Sequence, residues 1–165
     1  MATKQILNLK RTIGEINARG LSRRTLEPIA VDLRKTILNR IKAGFGVVSD
    51  RVAESTGRRL KPLSESYKRQ RARNGVRGER GTPNRSNLTN TGQMLDSLRS
   101  IAKRGQIVLD IPDTSRKGSS ATNKEVAGYV RKDRPFLALT KKEARQLNRD
   151  VTRQVDLAIK RALKG

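Results

Sequence analysis

The sequence predicts an α+β fold: two long amphipathic helices packed on a small antiparallel sheet, with a long basic loop or arm. Three observations predict it. Apolar residues recur at three- and four-residue spacing over residues 25–43 and again over 141–164. Residues 106–112, QIVLDIP, alternate apolar and polar positions. Between the two helical patterns, residues 57–87 show no usable periodicity and are strongly basic.

The elements follow in order. Residues 1–24 are expected to form an extended or helical lead-in, because Ile6, Leu7, Leu9, Ile13 and Ile16 fit neither period cleanly, and Gly20 ends it. The domain proper is expected over 25–165, with a basic insertion at about 57–87. Thr25 can cap the first helix, and Pro28 falls in its first turn, where a missing N–H costs little. Leu26, Ala30, Leu33, Ile37 and Ile41 form its apolar stripe, and Gly44 is a plausible stop. A short helical piece is expected over 49–56.

Residues 57–87 carry ten basic residues against two acids, spaced by Gly57, Pro62, Gly75, Gly78, Gly81 and Pro83. This composition predicts a mobile arm when the chain is free. Thr91 then caps a short helix from Gly92, with Leu95, Leu98 and Ala102 on one side. A hairpin is expected next, with Arg104-Gly105 as its turn and Ile107, Leu109 and Ile111 sharing a face of the strand that follows. Residues 113–124 read as loop, and Glu125 to Val130 as a short helix or strand. Pro135 biases Arg134 toward extended geometry, so RPFLAL reads as a brief strand. Thr140 and Glu143 form a capping box opening the last helix, with Ala144, Leu147, Val151, Val155, Ala158, Ile159 and Ala162 as its stripe.

Charge narrows the function. The chain holds 38 Lys plus Arg against 15 Asp plus Glu, a net +23, with 34% hydrophobic residues. Such a chain seeks polyanions or acidic protein surfaces, and its small core implies segments that order on partners. Without cysteine there is neither disulfide nor thiolate chemistry. Without histidine there is no Ser-His-Asp triad, and the commonest zinc ligands are missing. No phosphate loop of the Gly-x-x-x-x-Gly-Lys-Ser/Thr type occurs. Asp110 and Asp113 follow a strand and could share a metal, but no Asp or Glu has a Lys two residues later, and flanking a turn is the plainer role. The expectation is a protein that is not an enzyme and uses no cofactor or metal. Apolar runs are too short to span a membrane, and the N-terminus lacks a signal-peptide core. The expected setting is a cytoplasm or the inside of a particle.

Solvation explains most cations on the helices, which lie opposite the apolar stripes. It does not explain the arm, where little apolar surface needs solvating. The arm cations Arg58, Arg59, Lys68, Arg69, Arg71, Arg73, Arg77, Arg80 and Arg85 are therefore the candidate contacts for a protein partner or DNA. A non-specific nucleic-acid-binding protein is the alternative function, since each cation could neutralise a phosphate. Two Phe and two Tyr, scattered, make no stacking platform.

The order LKPLSESYKRQR, a basic insert, NLTNTGQMLDSLR, a strand, then RPFLALT and a capped helix resembles the virion-morphogenesis or tail-completion proteins of tailed bacteriophages. The matching positions are Pro62-Leu63-Ser64, then Leu88, Thr91, Gly92, Ser97 and Leu98, then Arg134, Phe136, Leu137, Leu139 and Thr140. The likeness spans about residues 28 to 163. Leu95 stands one or two places later than in the commonest form of the middle segment. Where many relatives carry a Tyr-Ala-x-x-His-x-x-Gly element, this chain has Ala127-Gly128-Tyr129 and no histidine.

The resemblance implies a structural subunit of the phage neck, placed in the virion and present in the host cytoplasm during assembly. It implies a homo-oligomeric ring, a hexamer being favoured and a dodecamer possible, built by heterologous contacts. Portal, head-closure, tail-terminator or tail-tube proteins would be its partners, with phage DNA passing through and no membrane involved. On that footing the arm bridges to neighbouring proteins first and to DNA second. Leu88, Thr91, Gly92, Leu98, Arg134 and Phe136 would be structural: Thr91-Gly92 starts a helix, and Arg134-Pro135-Phe136 anchors the last helix with Phe136 in the core.

Overall fold

The computed structural model describes residues 4–8, 22–50, 54–74 and 93–162. In chain order the elements are β1 (Lys4–Asn8), α1 (Arg23–Lys42), β2 (Phe45–Val47), β3 (Glu54–Ser55), β4 (Gly57–Arg59), α2 (Glu65–Asn74), α3 (Gln93–Asp96), β5 (Arg99–Lys103), β6 (Gln106–Asp110), α4 (Asn123–Asp133), β7 (Leu139–Thr140) and α5 (Lys141–Ala162). The architecture is α+β, with helices packed against small sheets.

Helix α1 forms where its stripe requires, and Leu26, Ile29, Ala30, Leu33, Ile37 and Ile41 are all buried. Its cap is Ser22 rather than Thr25. The Ser22 hydroxyl accepts the Thr25 amide at 3.2 Å, so Thr25 is the residue that a cap serves. The earlier start moves Pro28 from the first turn into the second, on the exposed side of the helix. Gly44 ends the helix as expected, with φ +85, a conformation that glycine adopts without a Cβ clash.

The main sheet is antiparallel, in the order β1-β6-β5. The turn falls at Arg104-Gly105, with Gly105 at φ +69. Ile107, Leu109 and Ile111 are fully buried, and Val108 on the other face is buried as well. Of the extended and helical alternatives for the lead-in, residues 4–8 take the extended one, as strand β1 pairing along β6 from Lys4↔Asp110 to Asn8↔Gln106. One expectation changes here. The helix expected from Gly92 through Ala102 ends at Asp96, and residues 99–103 form strand β5. Arg34 explains part of that early stop. Its Nε donates to the Leu98 carbonyl at 2.6 Å and its Nη2 to that of Asp96 at 3.3 Å, satisfying carbonyls that a longer helix would have used. Leu95, Leu98 and Ala102 are all buried, but on a helix, a connection and a strand in turn.

Residues 49–56 form no helix among the described residues. Ser55, buried, accepts the Val48 and Ser49 amides at 3.1 and 3.2 Å, tying β3 to the end of β2. Strand β3 runs parallel to β7, so the brief strand expected in RPFLAL exists at its end.

Helix α4 is longer than expected and is opened by a capping box. The Thr122 amide donates to Glu125 at 2.8 Å and the Glu125 amide to Thr122 at 3.3 Å. The capping box of α5 forms as expected, with the Thr140 amide on Glu143 Oε2 at 2.7 Å and the Glu143 amide on Thr140 Oγ1 at 3.2 Å. Ala144, Leu147 and Val151 are buried, and Val155 packs against the core. The core therefore lies between α1, α5 and the main sheet, joined by Phe136 and Leu137 from the α4–α5 connection.

Candidate functional site

The connection between α4 and α5, residues 134–140, is the most heavily restrained irregular segment described. Phe136, Leu137 and Ala138 are completely buried, so their backbone groups need partners inside the protein. Two side chains distant in sequence supply them. Asp50, itself buried, accepts the Leu137 amide at 2.8 Å and the Ala138 amide at 3.3 Å on Oδ1, and Arg131 Nε at 2.6 Å on Oδ2. Arg40, on α1, donates Nη2 to the Phe136 and Ala138 carbonyls at 2.8 and 3.0 Å. One carboxylate thus holds the Leu137 and Ala138 N–H groups, and one guanidinium holds the Phe136 and Ala138 carbonyls.

Arg40 is itself held by charge. Its Nε lies 3.1 Å from Glu143 Oε1, as an ion pair rather than an aligned hydrogen bond. Burial pushes the Arg40 guanidinium below its ordinary pKa, while Glu143 and Asp50 pull it back up. Glu143 therefore does two things: one oxygen closes the capping box of α5 and the other faces Arg40.

The clamp reaches outward through Arg134 and Pro135. Arg134 Nε donates to the Lys61 carbonyl at 3.2 Å, and Nη2 reaches the Pro62 carbonyl at 3.4 Å. The Pro135 carbonyl accepts the Val47 amide at 2.9 Å. Gly46 lies so close that a Cβ there would collide with the Pro135 carbonyl oxygen and sit 2.6 Å from Leu60 Cδ2. The β2–β4 ribbon is thus seated on the clamp, with Phe45 opposite Arg59 and Gly46 opposite Arg58.

This placement corrects the reading of residues 57–87 as an arm along their whole length. Residues 57–59 are strand and 65–74 are helix. Leu60 and Leu63 are buried and tie this stretch to the core, and Ser64 Oγ accepts the Tyr67 amide at 3.3 Å in the first turn of α2. Among the predicted contact residues, Arg58 and Arg59 are exposed on β4, and Arg69 is exposed on α2. Lys68 is tied to Glu65 at 2.5 Å. Arg71 and Arg73 lie on the α2 backbone. Arg77, Arg80 and Arg85 fall outside the described residues, as do Leu88, Thr91 and Gly92. Leu98 and Phe136 are in the core as expected. Arg134 anchors the segment before α2 rather than the terminal helix.

Beside the clamp, Val48, Tyr129, Lys132 and Pro135 help to line an open groove of about 930 Å³. Its charges cancel: Lys124, Arg131 and Lys132 face Asp50, Asp113 and Glu125. Asp113 lies 3.9 Å from Lys124. No cluster of three or more metal-ligating side chains occurs among the described residues. No helix among the described residues is long and apolar enough to cross a membrane.

Asp50, Arg40 and Arg131 were not singled out from the sequence. Each is an ordinary charged residue locally, and only the fold brings them together. The chain matches no family model, no curated protein and no solved structure.

Proposed function

We propose that this chain is a non-enzymatic structural subunit of the head–tail junction of a tailed bacteriophage, a neck or tail-completion protein that assembles as a ring. The observation that carries this reading is the order of three segments: Pro62-Leu63-Ser64, Leu88 through Leu98, and Arg134 through Thr140. The placement of their described members supports it. Leu63, Leu98, Phe136, Leu137 and Leu139 are buried, and Arg134 of the third segment holds the backbone of the first. Residues so placed define a fold, which is the role this reading gives them.

In this reading the subunit packs head to tail, each copy offering one face to a different face of the next. On this reading the net charge of +23 is met by acidic neighbours, such as portal-side or tail-tube rings, and by DNA in the lumen. Native mass spectrometry of the chain, alone and with neck proteins of the same phage, tests it. Closed rings, with six or twelve copies, are expected. A persistent monomer beside every neck partner would overturn it. The net charge favours a second reading, a non-specific nucleic-acid-binding protein acting outside any ring, which predicts DNA binding by a monomer with steep salt dependence.

A further inference from the structure

We infer that the β2–β4 ribbon is a binding site for the phosphate backbone of nucleic acid, with Arg58 and Arg59 as its anion contacts. Strand β4 is Gly-Arg-Arg, and all three residues are exposed. Neither arginine lies within 4 Å of an acid among the described residues, in contrast to Arg40, Arg131, Lys68 and Lys124. Strand alternation sends the two side chains to opposite faces of the ribbon. On one face Arg59 sits opposite Phe45, its guanidinium 5.9 Å from the ring centre, and Phe45 is 42% exposed. On the other, Arg58 sits opposite Gly46.

The ribbon is also pre-positioned. Leu60 N donates to the Gly44 carbonyl at 2.9 Å, Val48 N to Thr56 at 3.0 Å and Val47 N to Pro135 at 2.9 Å. The backbone of such a braced element loses little conformational freedom on binding. Solvation alone accounts for cations opposite the apolar stripe of α1, but β4 has no apolar side chain to offset. A guanidinium beside an aromatic ring on one face of the ribbon and a second guanidinium on the other fit a phosphate backbone passing the ribbon, and the neutral groove next to the clamp does not.

This inference does not need a ring, so it stands or falls separately from the function proposed above. The test is fluorescence anisotropy of the full chain with a short random-sequence DNA duplex and with one of its single strands, across a salt series. The variants are Arg58→Gln/Arg59→Gln and, with equal charge change on the other sheet, Arg99→Gln/Lys103→Gln. The ribbon variant is expected to lose about tenfold in duplex affinity and to reduce the salt slope by about two. The sheet variant is expected to keep most of its affinity, and both should melt like the parent. A loss by the ribbon variant confined to the single strand also supports the site and assigns it to unpaired nucleic acid, with Phe45 stacking on a base. Equal losses in the two variants would overturn it, as would binding to polyglutamate with none to DNA.

Discussion

Residues 131–143 and residues 57–74 are both rich in charge, and they use it in opposite ways. In the first region Arg131 and Glu143 face inward, while Lys132, Asp133, Lys141 and Lys142 stay exposed. Arg131, Glu143, Asp50 and Arg40 bind one another and the backbone of a buried connection. In the second, Arg58, Arg59 and Arg69 point to solvent, while Leu60 and Leu63 do the anchoring. A net charge of +23 is therefore not one property. A small set of charges replaces core hydrogen bonds that an irregular segment cannot make with itself, and the rest is surface available to partners.

The contrast breaks most readily at Asp50. Asp50→Ala leaves two buried amides and Arg131 without their carboxylate, and should cost about 3–5 kcal/mol, read as a lowered urea midpoint. Phe136→Ala should cost a similar 3–5 kcal/mol by opening a cavity where α1, α5 and the sheet meet, and calorimetry would register it as a lower Tm. Gly46→Ala, which drives a methyl into the Pro135 carbonyl and Leu60, should cost about 1–3 kcal/mol and speed hydrogen exchange at the Val47 amide. Thr122→Ala removes only the cap of α4, and circular dichroism melts should shift by about 1 kcal/mol. Arg58→Gln/Arg59→Gln lies at the far end, within about 0.5 kcal/mol of the parent, because nothing in the fold depends on those head groups.

The same contrast explains what was legible in the sequence. Helix α5 was readable because its capping box and stripe are local signals that agree with one another. Gly44 and the Arg104-Gly105 turn were readable for the same reason. Strand β1 was not, because a five-residue strand is specified by the partner it meets, here β6. Leu95, Leu98 and Ala102 kept helical spacing across a break that Arg34, more than sixty positions away, helps to set. The clamp was invisible for a stronger form of that reason: Asp50 and Leu137 are 87 residues apart. The exposed ribbon hid inside a basic stretch whose composition resembles an arm, and the two buried leucines that tie it down were too few to show a period.

The division of labour between inward and outward charge is tested most directly by urea unfolding of Asp50→Ala and Arg58→Gln/Arg59→Gln side by side with the parent. The expected result is a large fall in midpoint for the first and an unchanged midpoint for the second. Equal falls in both, or no fall in Asp50→Ala, would contradict it.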